Sequence, residues 1–162
     1  MATSREHSAG ILLYRDGAEG VEVFLGHMGG PFWAKKQAGA WSIPKGIIDE
    51  DEDPLAAAKR EFEEEVGTPP PDVEYVHLRD VRYTSGKLVT VFAAETDFHV
   101  DTLRSGTFEL EWPRGSGVFH TVPEIDLVAW VSLEDARTRL VRGQVPLVDA
   151  IAELAGPDPS RG

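Results

Sequence analysis

The residues best able to do chemistry in this 162-residue chain are acidic and clustered. Nine of its 28 Asp and Glu residues lie between Asp49 and Glu65. Acids packed at that density repel one another unless they are solvated or neutralised by a cation. Charge alone favours a solvated acidic face over a metal site, but the spacing reverses that preference. Glu61, Glu64 and Glu65 are related by i, i+3 and i+4. On a helix they share one face and come within reach of a common ion, while Glu63 points away. Leu55, Ala58, Phe62 and Val66 form an apolar stripe on the adjoining face, so the carboxylates run along the edge of a buried surface. Left without a cation they raise one another's pKa, and a hard divalent ion with oxygen ligands removes the conflict. Arg60 stands four residues before Glu64 and can hold that carboxylate in orientation.

Several elements must position this group. Asp53-Pro54 predicts a helix start, with Asp as N-cap and Pro at the first helical position. The helix is expected to reach Val66, with Gly67 as its left-handed C-terminal cap before Pro69-Pro70-Pro71. Residues 8–15 and 21–27 read as a hairpin with a longer loop over 16–20, and 41–43 as a short strand stopped by Pro44. Residues 73–81 and 87–95 read as a second strand pair across Tyr83-Thr84-Ser85-Gly86. Residues 97–123 read as irregular, with a loop over 112–117, and 125–131 as a last strand. Ser132 with Asp135 caps a helix ending near Gly143, a second short helix covers 146–155, and the tail 157–162 is expected to fray. The whole is one domain over 1–156, a mixed α/β layered fold.

Residues 46–68 resemble the Nudix box, G-x5-E-x7-R-E-U-x-E-E-x-G-U, where U is a bulky apolar residue. Gly46, Glu52, Arg60, Glu61, Glu64, Glu65 and Gly67 occupy all seven fixed positions. Phe62 and Thr68 depart mildly at the U positions. Trp41-Ser42-Ile43-Pro44-Lys45-Gly46 is similar to the lead-in of many Nudix proteins, and residues 124–136 resemble their closing strand and helix. The likeness implies an α/β/α sandwich, a mixed sheet flanked by the box helix and C-terminal helices. It implies a hydrolase that uses Mg²⁺ or Mn²⁺ to assist attack of water on phosphorus. Glu61, Glu64 and Glu65 would then be metal ligands, with a carbonyl of Lys45 or Gly46 as a further oxygen. Glu52 would support the helix or a second ion. The general base would be a box glutamate or one before the last strand, a place Glu124 suits, with Glu109 and Glu111 as further candidates. A non-catalytic binding module is the contrasting reading; loss of a box glutamate would mark it, and all are present.

Specificity must come from outside the box. Lys45 adjoins the box glycine and is expected at a phosphate, with Lys35, Lys36, Arg82 and Lys87 as further basic contacts. Trp33, Phe32, Trp41 and Tyr83 can stack on a base. A tyrosine sixteen residues after the box glycine, as Tyr83 is, resembles a mark of the dinucleoside polyphosphate hydrolases. The expected substrate is therefore a dinucleoside polyphosphate such as diadenosine tetraphosphate. A nucleoside triphosphate in a MutT-like role is the alternative. A net charge of −12 disfavours DNA, long RNA and anionic lipid as partners. The absence of cysteine rules out disulfides, and the first ten residues lack the apolar stretch of a signal peptide, so a soluble, cytoplasmic protein is expected. Monomer and homodimer both stay open.

Overall fold

The computed structural model describes residues 6–156; the tail expected to fray, 157–162, lies outside the described residues. Strands β1 (His7–Gly17) and β2 (Gly20–Met28) form the first hairpin. Both run further than the sequence suggests, and Gly17 pairs with Gly20 across a two-residue turn, not a longer loop. Gly20 turns the chain with a φ of 115°. Two short strands follow, β3 (Trp41–Ser42) and β4 (Lys45–Ile47).

Helix α1 spans Pro54–Val66 with the ends its sequence signals predict. The Asp53 side chain accepts from Ala56 N–H, and Gly67 closes the helix with φ 83° and its N–H on the Glu63 carbonyl. Strands β5 (Val76–Arg82) and β6 (Leu88–Glu95) pair antiparallel.

Residues 107–123 correct the sequence expectation. They hold a second hairpin, β7 (Thr107–Glu111) and β8 (Phe119–Pro123), which forms its own two-stranded sheet. Strand β9 (Ile125–Ser132) follows at once, then α2 (Leu133–Arg139), one turn of 3-10 helix (Arg142–Gln144) and α3 (Pro146–Ala155). Helix α2 stops at Arg139, not near Gly143, because the chain extends at Leu140, whose side chain is buried.

The main sheet is mixed. Its order is β3-β2-β1-β6-β5, with β9 antiparallel to β2 and β4 antiparallel to the start of β1. Strands β1 and β6 pair in parallel from His7–Leu88 to Tyr14–Glu95. One face packs against α1 through Ile11, Leu13, Phe24, Ala58, Phe62 and Val66. The other packs against α2 and α3 through Leu12, Leu25, Trp41, Ile43, Leu147 and Ile151. Period-2 alternation in β1 sends Ile11 and Leu13 to one layer and Leu12 to the other. The result is an α/β/α sandwich. Among the described residues, no helix is long and apolar enough to cross a membrane.

Candidate active site

The site forms where α1 meets β4. The β4–β1 pairing sets Gly46 opposite Ala9, and the buried side of α1 lies against these strands. Gly46 is needed here for space: a Cβ at this position would sit 2.0 Å from the Cδ and Oε2 of Glu61. The glycine thus makes a hollow that receives the Glu61 carboxyl. Glu65, one turn further on, is buried to 8% exposure and accepts the Lys45 backbone N–H at 3.2 Å.

Arg60 organises the outer side. Its Nε and Nη2 donate to the two oxygens of Glu52, each at 2.9 Å, and Nη2 also donates to the Ile47 carbonyl at 3.0 Å. Nη1 donates to Glu61 at 2.9 Å and to Glu64 at 3.4 Å. The expected Arg60–Glu64 pair is present, but it is the longest of these bonds. Both Glu52 oxygens are engaged by Arg60, and the Asp49 N–H adds a third bond at 3.0 Å. Arg60 and that N–H hold the Glu52 carboxyl down to about 2. Of the two roles considered for Glu52, support of the helix is the one its contacts fit.

Glu124 reaches the same place from a distant segment. Its N–H donates to Gly106 O at 2.9 Å, while Gly106 N–H donates to Glu64 O, also at 2.9 Å, in the last turn of α1. Arg104 N–H satisfies Val66 O at 3.0 Å. Residues 104–106 therefore cap the free carbonyls of α1 and tie its end to Glu124. The Glu124 charge acts on both Glu61 and Glu65. Burial pushes the Glu65 carboxyl up to about 8; Lys45 opposes the rise, and Glu124 and Glu61 add to it. Glu61 is raised as well, first by burial, against the pull of its Arg60 bond.

The convergence on a common point expected of Glu61, Glu64 and Glu65 is not present in full. Among the described residues, no group of three or more His, Asp or Glu side chains is placed to hold a metal ion. Glu64 is 58% exposed and turns to Arg60, whereas Glu65 lies buried against Lys45. One helical face carries all three, but its rim divides them between solvent and core. The donor set is nonetheless all hard oxygen, partly desolvated, and crowded enough to resist ionising together. By its chemistry it suits a hard divalent cation.

The remaining expected contacts divide. Trp33 and Lys36 lie in the turn after β2, where Trp33 meets Phe32 edge-on at 4.7 Å and the Lys36 ammonium stands 3.5 Å over the Phe32 ring. Lys35 is exposed in the same turn. Trp41 is buried in the α3-side core. Tyr83 differs from the stacking expected of it. Its ring packs so closely on Gly143 that a Cβ there would lie 2.2 Å away, and its hydroxyl accepts from Gln144 Nε2 at 2.9 Å. It belongs to the layer opposite α1. Arg82 donates to Gly86 O, and Lys87 pairs with Glu6 at 3.4 Å; neither is joined to the acids. Glu109 is bonded by the Thr121 hydroxyl, and Glu111 accepts the N–H groups of Gly115 and Gly117, so both serve the β7–β8 hairpin.

Two polar groups escape a sequence reading. Gln144 is fully buried; its Oε1 accepts Ile43 N–H and its Nε2 donates to Ser42 Oγ, each at 2.9 Å. His27, 4% exposed, bridges the Asp126 carboxylate and the Lys36 carbonyl, each at 2.7 Å, and so fixes the turn bearing Phe32 and Trp33. No spacing signal marks either, since each partner is distant in sequence or is a backbone group.

This fold, with an acidic helix against a glycine-bearing strand, agrees with comparisons to known proteins. The NUDIX domain profile matches residues 4–151, and the chain belongs to the Nudix family. Nudix hydrolase 10 of Arabidopsis thaliana is 30% identical over 102 residues, covering 63% of this chain and 32% of that protein. The RNA pyrophosphohydrolase of Hahella chejuensis is 47% identical over 55 residues, 33% of this chain and 34% of that one. The chain thus spans about a third of the length of these curated relatives. Among solved structures, the NUDIX domain of Shewanella oneidensis NrtR complexed with ADP ribose superposes with a TM-score of 0.68 at 18% identity, covering 96% of this chain and 91% of that one. A C. elegans Ap4A hydrolase binary complex gives 0.61 at 20% identity, covering 93% and 97%. At these identities the likeness is one of fold.

Proposed function

We propose that this protein is a metal-dependent pyrophosphohydrolase acting on a nucleoside diphosphate linked to a further group. The observation that carries the reading is the gathering of acids beside the Lys45–Gly46 strand: Glu61 in the space Gly46 leaves, Glu65 on the Lys45 N–H, and Glu124, some sixty residues on, tied through Gly106 to the end of α1. A bound Mg²⁺ or Mn²⁺ would supply charge neutralisation at the phosphates. Glu61, Glu65 and Glu64 would hold it, with a carbonyl of Lys45 or Gly46 as a further oxygen. Arg60 orients Glu61 and Glu64 through Nη1. Glu124, exposed and anchored by its backbone to Gly106 and Gly29, takes the proton of the attacking water at its carboxylate. The Lys45 ammonium lies beside the acids and meets a phosphate oxygen. Trp33, Lys36 and Lys35, in the turn whose Gly29 N–H donates to Glu124 O, would contact the nucleoside.

A dinucleoside polyphosphate such as diadenosine tetraphosphate is the favoured substrate, and the C. elegans Ap4A hydrolase shares the fold. The placement of Tyr83 takes away one argument for it. A nucleoside triphosphate is the alternative. Removal of pyrophosphate from RNA 5′ ends is a further reading, favoured by the relatives of that name and opposed by a net charge of −12.

Product analysis in ¹⁸O-water tests the proposal. Diadenosine polyphosphates, nucleoside triphosphates, ADP-ribose and 5′-triphosphorylated RNA would be incubated with and without Mg²⁺ or Mn²⁺. Metal-dependent cleavage of a phosphoanhydride, lost in Glu65→Gln, is the expected result. No turnover on any substrate, alongside measurable nucleotide binding, would make the protein a non-catalytic module.

A further inference from the structure

The hairpin β7–β8 belongs to neither face of the main sheet, and nothing in the box chemistry requires it. Between it and the turn after β2 lies a cavity of about 450 Å³. Its walls come from both segments: Phe32 and Trp33 on one side, Phe108, Leu110 and Trp112 on the other, with Arg114 among the lining residues. We propose that this slot binds the purine ring of the substrate nucleotide. This rests on the nucleotide-hydrolase reading above and names the site of its specificity.

Four observations support a flat, apolar ligand with an anionic end. Aromatic side chains from two segments far apart in sequence face one cavity of a size that suits a small ligand, within the roughly 300–1,000 Å³ usual for such sites. Phe32 and Phe108, 49% and 41% exposed, stand on opposite walls of this one slot, so their apolar area is gathered at one place. Both walls are preset: His27 holds Lys36 O, Trp33 N–H closes on Gly30 O at 3.2 Å, and Glu111 clasps the hairpin turn through two N–H groups. Their polar bonds are satisfied internally, which leaves the rings for a ligand. Finally, the slot adjoins the segment that carries Glu124. Gly29 lines it and donates its N–H to Glu124 O at 3.0 Å. Arg114 lines the slot without an ion partner among the described residues, and Lys36 lies over the Phe32 ring, so two cations border the slot for an anionic ligand. The one acid in the lining, Glu111, is already committed to Gly115 and Gly117. Few groups are left to read the edge of a base. Recognition therefore runs through stacked area, which favours purines over pyrimidines without separating adenine from guanine.

The test is calorimetric titration of the metal-free protein with AMP and with ribose 5-phosphate, which lacks the base, on wild type, Trp112→Leu and Phe108→Ala. Thermal melts of each variant monitor folding. Stacking predicts AMP affinity lower by roughly ten-fold in each variant, with ribose 5-phosphate unchanged. GMP should bind within about three-fold of AMP, and CMP should bind more weakly by at least that factor. Absence of AMP binding to wild type, unchanged AMP affinity in both folded variants, or equal losses for AMP and ribose 5-phosphate would overturn the assignment. AMP binding that depends on Trp112, in a protein that cleaves nothing, would sink the hydrolase reading and leave the slot standing. Nucleotide turnover indifferent to Trp112 and Phe108 would do the reverse.

Discussion

Gly46→Ala isolates the geometry of the site from its charge. The new methyl would lie 2.0 Å from both Cδ and Oε2 of Glu61 and 2.6 Å from its Cγ. Carbon contacts settle near 3.5 Å, so the carboxyl must retreat by about 1.5 Å. It is the far end of a flexible side chain, and Gly46 is not among the residues of positive φ, so the fold has little to lose. The melting temperature should fall by no more than about 4 °C. A misplacement of about 1 Å near the reacting atoms costs on the order of 10²-fold in rate, near 2.7 kcal/mol of barrier. Initial rates on whichever compound of the substrate panel turns over fastest should therefore show kcat reduced about 100-fold with KM within a few-fold. A variant with wild-type kcat would show that the Glu61 carboxyl is not needed where the structure puts it, and the metal-ligand assignment would fall with it.

Four other outcomes are expected. Phe62, fully buried between α1 and the sheet, should cost about 3–5 kcal/mol as Phe62→Ala in denaturant unfolding. Gln144→Ala strands the partners it joins at Ile43, Ser42 and Tyr83, and should destabilise by about 3 kcal/mol; a loss under 1 kcal/mol would mean the network carries no weight. Tyr83→Phe should lower stability by about 1 kcal/mol and leave KM for dinucleotides unchanged, whereas a raised KM would return the residue to the substrate site. Because the folded Glu52 carboxyl titrates at about 2, below its ordinary 4.5, its contribution to stability is present above pH 4.5 and lost as pH falls toward 2. Glu52→Gln should flatten the acid limb of a stability-against-pH curve, and an unchanged limb would refute the pairing with Arg60.

Helix α1 was readable because its signals are local: Asp53, Pro54 and Gly67 each act through the backbone of their immediate neighbours. The box acids were readable for the same reason, since a helix converts spacing into direction. Direction is not placement, however. The division of Glu64 and Glu65 between solvent and core depends on where β4 lies, which no helical period encodes. Strands β7 and β8 were missed although Phe108 and Leu110 alternate with polar residues. Alternation signals a strand when one face is buried, and this hairpin stands off the main sheet with Phe108 and Phe119 still exposed. Glu124 is a candidate through the family likeness of its place before the last strand, whereas Gln144 and Tyr83 act through contacts separated by 61 to 102 residues.

The parallel pairing of β1 with β6 has a consequence for the newly made chain. Its partners lie about eighty residues apart, and β9 must dock on β2 before the Glu124 segment has a fixed place. At about 5–20 residues per second, the ribosome releases the acidic helix several seconds before the strand that completes its surroundings. During that interval the carboxylates are an ordinary solvated cluster with little hold on any ion. Loading should therefore follow closure of the sheet.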